Sequence, residues 1–152
     1  PYIFKAIEAV AGGESADQID EALVDFGMPM GPIELADQIG LDVCLDAGIV
    51  LGIAPTAKTL LDEKVKAGTI GRKSGSGFYE WDGNQAIRAR QSQDPSVMAA
   101  IAENMLAPMI EECQQAVDQQ VVDSADSADA GMIFGIGFPG FRGGPLNWAQ
   151  EQ

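Results

Sequence analysis

Twenty-three Asp and Glu side chains face nine Lys and Arg in this 152-residue chain, and histidine is absent. The commonest general base and metal ligand is therefore missing, and any proton transfer would fall to a carboxylate. Asp17, Asp20 and Glu21 share one helical face, and Asp123, Asp126 and Asp129 do the same further on. Each set lies in or beside the first turns of a helical pattern, where acids simply favour the helix dipole. No acid–base pair stands out, so no catalytic residue is expected and the acids read as structural. Cys44 and Cys113 sit singly on apolar helical faces, without CxxC or metal-ligand spacing. They read as two buried thiols in a reducing compartment, and no metal site is expected.

Two glycine-rich stretches invite a cofactor reading. Gly135-Ile-Gly137-Phe-Pro-Gly140 matches GxGxxG letter for letter. It follows a helical pattern instead of a strand, and Pro139 interrupts the turn where a helix should begin. No cofactor-binding residue is expected there; the glycines read as positions of positive φ or close helix approach. Gly71-Arg-Lys-Ser-Gly-Ser-Gly77 lacks the G-K-[ST] order of a phosphate loop, and no helix follows it. It reads as a flexible turn into the extended run Phe78–Trp81. Seven of the nine basic residues lie between Lys58 and Arg90, which reads as a solvated helix plus this basic loop.

The apolar bends carry more. Met28-Pro29-Met30-Gly31-Pro32 and the stretch from Phe134 to Phe141 set Met and Phe side chains at matching turns. Such bends line an acyl groove or a subunit interface, or plug a core between helices. The residues alone leave these readings open.

The elements that must position these bends follow the helical period. Tyr2, Ile3, Ala6, Ile7 and Val10 form one apolar face, ended by Gly12-Gly13. Ser15-Ala-Asp-Gln18 has capping-box form and opens a second helix, and Pro32 stands at the first turn of a third. Helices are expected over Leu41–Leu51 and Ala57–Ala67. A turn at Asp82-Gly-Asn84 and a polar linker to Asp94 precede a long helix to about Gln119. Pro108 is expected to kink or split that helix. A capped helix over Ser124–Met132, a Gly/Pro loop to Gly144 and a last helix from Pro145 complete the chain.

The pattern repeats. Pro1–Val10 aligns with Pro108–Val117, Ser15–Asp20 with Ser124–Asp129, and Phe26-Gly-Met-Pro29 with Ile136-Gly-Phe-Pro139. Gly31-Pro32 aligns with Gly144-Pro145. Two copies of one helical unit, packed pseudo-symmetrically, are expected, with residues 53 to 83 an extension of the first. The predicted units are 1–83 and 84–152.

Composition sets the outer bounds. A hydrophobic fraction of 46% and a charged fraction of 21% suit a folded globular domain. A net charge of −14 excludes nucleic acid as a partner, because phosphate contacts need a basic face. The apolar runs are too short for a membrane span. The chain starts directly on a helical pattern, without Met or a basic leader, which suggests a segment of a longer polypeptide.

"DFGMPMGPIELADQIGLDVCLDAG" and "GRKSGSGFYEW" stand in the first unit, and "SADAGMIFGIGFPGFRGGPLNWA" stands in the second. In this order they resemble the C-terminal part of L-3-hydroxyacyl-CoA dehydrogenases, and the second unit resembles that of the multifunctional α subunits of fatty-acid β-oxidation complexes. The resemblance implies an all-α fold of two pseudo-repeated helical units, of the 6-phosphogluconate dehydrogenase C-terminal-like type. It implies a full enzyme that oxidises the hydroxyl of a 3-hydroxyacyl-CoA with NAD, bound by a Rossmann domain upstream of this chain. The catalytic His, its orienting Glu and a substrate-holding Asn would also lie upstream, so the chain alone is expected to be inert. The family's acyl side maps onto Pro29, Met30 and Leu35. The aromatic before the Gly-x-Gly-Phe-Pro loop, often Tyr in the α subunits, maps onto Phe134, which has no hydroxyl. Implied partners are the 3-hydroxyacyl-CoA substrate, the chain's own upstream Rossmann domain, and a second copy or a thiolase subunit. The implied location is the cytoplasm for a bacterial protein, mitochondrion or peroxisome for a eukaryotic one. The competing reading is a non-enzymatic helical dimerisation or docking module. A third is a helical domain of a dehydrogenase for a sugar acid or small hydroxy acid, which the Phe134–Pro139 block disfavours.

Overall fold

Capping residues and glycine stops in the chain account for most of the helix boundaries. The computed structural model describes residues 1–89 and 94–151. Its first helices are α1 (Tyr2–Ala11), α2 (Ala16–Phe26), α3 (Pro32–Ile39), α4 (Leu41–Leu51) and α5 (Pro55–Ala67). A hairpin of β1 (Glu80–Asp82) and β2 (Gln85–Ile87) follows, then α6 (Pro95–Asp118), α7 (Ala125–Ile136) and α8 (Pro145–Gln150). Ser15 Oγ accepts from Gln18 N at 3.4 Å, and Ser124 Oγ from Ser127 N at 3.2 Å, so both capped starts form as the sequence predicts. Pro32 and Pro145 each open their helix, where the missing N–H costs nothing.

The two units match in a buried polar contact as well as in order. Asp20, on α2, accepts from Ile33 N and Glu34 N at 2.8 Å each, at the start of α3. Asp129, on α7, accepts from Leu146 N at 2.7 Å and Asn147 N at 3.0 Å, at the start of α8. Each acid thus satisfies free N–H groups of a neighbouring helix. The expectation that Asp20 and Asp129 merely favour their own helix dipoles is corrected here: both are buried and hold the start of the next helix. Close approach explains the glycines opposite them. A Cβ on Gly31 would lie 2.2 Å from Asp20 Cγ, and one on Gly144 2.2 Å from Asp129 Cβ.

The segment unique to the first unit is tied down by a third buried acid. Asp37 accepts from Phe78 N (2.9 Å), Tyr79 N (3.0 Å) and Trp81 Nε1 (2.9 Å). Gly71–Gly77 is accordingly not the flexible turn the sequence suggests. It carries a 3-10 turn at Arg72–Ser74, and Ser74 Oγ accepts from Ile70 N at 2.9 Å. Its bases are engaged, Lys73 with Asp42 at 2.7 Å and Arg72 with Asn84 at 3.3 Å.

Three further expectations change. Part of the expected polar linker is β2, paired antiparallel with β1 so that Trp81 faces Ala86; residues 90–93 of it lie outside the described residues. The division at 83/84 falls in the turn of that hairpin. Pro108 does not split α6, which runs unbroken from Pro95 to Asp118. Met105, Leu106 and Met109 are buried around it, and their packing offsets the lost backbone hydrogen bond. Finally, α7 continues to Ile136, past the expected end at Met132.

One core joins the two units. Phe26 from the first meets Phe138 (centroids 5.7 Å) and Trp148 (4.9 Å) from the second, both edge to face. Among the described residues, no helix is long and apolar enough to cross a membrane.

A candidate substrate groove between the units

Each unit makes a sharp bend after its second helix, and the two bends bear on each other. Gly27 stops α2 with φ +118°, and Gly137 stops α7 with φ +74°, backbone that glycine adopts without penalty. A Cβ on Gly27 would lie 3.0 Å from Pro139 Cγ, and one on Gly137 3.0 Å from Pro29 Cγ. The contact is reciprocal, as at a two-fold interface. Arg142 locks it by stacking 4.0 Å over the Phe26 ring while donating from Nε to Phe26 O at 2.9 Å.

Beside these bends lies a groove of about 830 Å³, at the upper end of small-molecule sites. The first unit contributes the start of α1, the bend at Met28–Met30, and faces of α3 and α4. The second contributes Met109 and Cys113 on α6 and Ala128 and Met132 on α7. The wall is apolar apart from the exposed Glu112 and Ser127, the two thiols, and Tyr2.

Its few polar groups are not set up for chemistry. Burial, reinforced by Asp37 and Asp42, pushes the Cys44 thiol up to about 11, and burial chiefly raises that of Cys113. Both remain protonated near neutrality and unreactive. The Tyr2 hydroxyl is buried without a hydrogen-bond partner, and burial followed by the charge of Asp20 holds its pKa well above normal. No nucleophile–base pair lies in the wall, and no cluster of three or more metal-ligating side chains occurs among the described residues. The arrangement can hold an apolar chain; it offers nothing to move its protons.

Pro29, Met30 and Leu35 line this groove together. Phe134 does not; it stands on the outer side of α7, 88% exposed. The sequence reading missed Tyr2, Val43, Met109 and Met132. The repeat held a signal for two of them, since aligning Pro1–Val10 with Pro108–Val117 sets Tyr2 opposite Met109.

The dinucleotide motif fares as its context implies. Gly135 and Gly137 sit at the C-terminal end of α7, where carbonyls and the negative pole of the helix dipole face outward. A pyrophosphate requires the opposite pole. This motif therefore does not fit a dinucleotide pyrophosphate.

The fold is helical apart from one short hairpin, and its groove is walled by apolar side chains from both helical units. Sequence comparison gives the family: "3-hydroxyacyl-CoA dehydrogenase, C-terminal domain" matches residues 1–81, and the chain belongs to it. Across 97% of its length the chain is 36% identical to the fatty acid oxidation complex subunit alpha of Shewanella sp. (strain MR-7), and 34% identical to the subunit of the same name from Vibrio cholerae. It spans only 23% of the length of each. Among solved structures, 3-hydroxybutyryl-CoA dehydrogenase from Escherichia coli K12 superposes with a TM-score of 0.72 over 99% of this chain and 51% of its own, at 20% identity. The dehydrogenase part of multifunctional enzyme 1 from C. elegans gives 0.64 over 91% and 37%, at 23% identity. At those identities the superpositions establish the fold.

Proposed function

We propose that this chain forms the acyl side of the substrate cleft in an NAD-dependent L-3-hydroxyacyl-CoA dehydrogenase of fatty-acid β-oxidation. The observation that carries this reading is the groove itself: an apolar wall built by both units, with Pro29, Met30 and Leu35 in it. Residues 1–83 supply one wall and the clamped hairpin arm; residues 84–152 supply the other. NAD, the catalytic His with its Glu, and the substrate-holding Asn belong to a Rossmann domain upstream. The chain's own contribution is to bind the acyl group, orient it and exclude water from it, which lowers the cost of reaching a reactive geometry. Bacterial relatives support a cytoplasmic enzyme.

The assembly surface of the same domain is the outer side of α4, where Ile49, Val50 and Leu51 are exposed, Val50 by 84%. It suits the upstream domain, a second copy or a thiolase subunit.

The test is NADH oxidation with acetoacetyl-CoA, comparing this chain with one extended upstream through the preceding domain. Activity confined to the extended chain is expected. Turnover by this chain alone overturns the division of labour, and inactivity of both favours a docking module.

A further inference from the structure

Gly131 is an anomaly in α7. It lies in the interior of a helix of twelve residues, where glycine is the poorest ordinary helix former. The usual reasons for glycine are missing. Its φ is not positive, and a Cβ built on it meets nothing within 4 Å. Neither backbone conformation nor close packing demands the residue. It lines the groove, and the space its side chain would fill is groove space.

We propose that Gly131 sets the length of acyl chain the groove admits, by leaving the second unit's wall open so that a long chain can lie along α7. This rests on reading the groove as an acyl site and deepens it. The chemistry of the wall favours that occupant. Methylenes need no hydrogen-bond partners, whereas an extended peptide would bring an N–H and a C=O with every residue. The side chains here offer little beyond Glu112 and Ser127 to receive them. The groove is also continuous with Pro29, Met30 and Leu35, the bend assigned to the acyl side. Met30 and Met132, one from each unit, are flexible, polarisable side chains able to follow chains of different length.

The test is calorimetric titration of this chain with butanoyl-, octanoyl-, dodecanoyl- and hexadecanoyl-CoA below their micellar concentrations. Affinity should rise about fourfold per methylene while each is buried, then level off. Gly131→Phe should move the plateau to a shorter chain. Gly131→Ala should keep the long-chain profile and raise the melting midpoint, because alanine is the better helix former. Circular dichroism of both variants reports whether α7 is retained, and Gly131→Leu gives a second blocking variant if Phe disrupts it. A chain-length profile that survives both blocking variants overturns the role of Gly131 and leaves the acyl reading standing. Absence of binding at every length, or a change of oligomeric state as the sole effect of blocking, removes the acyl reading and this inference with it.

Discussion

Tyr79 donates its hydroxyl to Asp20 at 2.9 Å across 59 residues of sequence, fastening the hairpin arm to the first helical unit. Arg88 closes the same arm, reaching Glu34 at 3.2 Å, while Ala89 N donates to Asp17 at 3.0 Å. Asp20 therefore works twice, for the start of α3 and for the arm.

Its position makes stability depend on pH. Burial pushes the Asp20 carboxyl from 3.8 up to about 6, against the lowering effects of Ile33 N–H, the Tyr79 hydroxyl, Glu34 N–H and Arg88. A raised value means that the folded chain holds a proton the unfolded chain has lost, so stability falls as pH rises through this window. At ~1.4 kcal/mol per pH unit the interval is worth roughly 3 kcal/mol. Asp42, whose carboxyl the Lys73 hydrogen bond holds low, acts in the opposite sense: its contribution is present at higher pH and lost on acidification. Urea unfolding from about pH 4 to about pH 7 should show the fall in the native chain and its absence in Asp20→Asn. Identical slopes would place the titration elsewhere.

Gly31→Ala and Gly144→Ala test whether the units are equivalent. In each, the new methyl would overlap the buried acid opposite, at a cost of about 1–3 kcal/mol. Gly144 also has φ +108°, which alanine adopts only under strain, so its variant should be the less stable. For a chain of this size each kcal/mol lowers the melting midpoint by roughly 2–4 °C. A neutral effect at either glycine would refute the close approach there.

Asp37→Ala leaves Phe78 N, Tyr79 N and Trp81 Nε1 without their acceptor. The expected loss is about 3 kcal/mol or more. Trp81 fluorescence should shift to the red as the indole becomes hydrated, while Trp148, in the second unit's core, keeps a buried spectrum. Double variants with Trp81→Phe separate the two signals.

Leu35 and Phe134 should separate two kinds of contact. Leu35→Asn, in the groove wall, should weaken long-chain acyl-CoA binding to this chain about tenfold or more, by replacing apolar contact with an amide lacking partners. Phe134→Ala should leave that binding unchanged, because its ring stands outside the groove. In the extended polypeptide, however, it should raise KM, since any substrate contact of this ring must involve the region outside this chain. Unchanged kinetics there would leave Phe134 without a substrate role.

Much of this architecture is legible in the sequence because it rests on local signals. Ser15 and Ser124 announce caps, Pro32 and Pro145 announce first turns, and the aligned blocks announce the repeat. What stayed hidden depends on contacts between distant residues. Asp20 and Asp129 look like ordinary first-turn acids, and only the fold brings Ile33 and Leu146 to them. The β1–β2 hairpin is three residues a side, too short for a periodic signal, and is held through Trp81 by Asp37. Pro108 gives a strong break signal that the packing of Met105, Leu106 and Met109 overrides. Half of the groove wall was invisible for the same reason: nothing local to Met109 or Met132 marks a groove, which forms only when the two units are brought together.

The reciprocal seating of Pro29 on Gly137 and Pro139 on Gly27 describes a homodimer written into one polypeptide. Two separate subunits holding such a contact would part on dilution; here the continuous chain supplies a high local concentration, and the halves stay together at any protein level. Joining them also frees each half from having to fit a copy of itself. One half carries the Asp37-anchored arm and the other a glycine at position 131, so the groove has a distinct wall on each side.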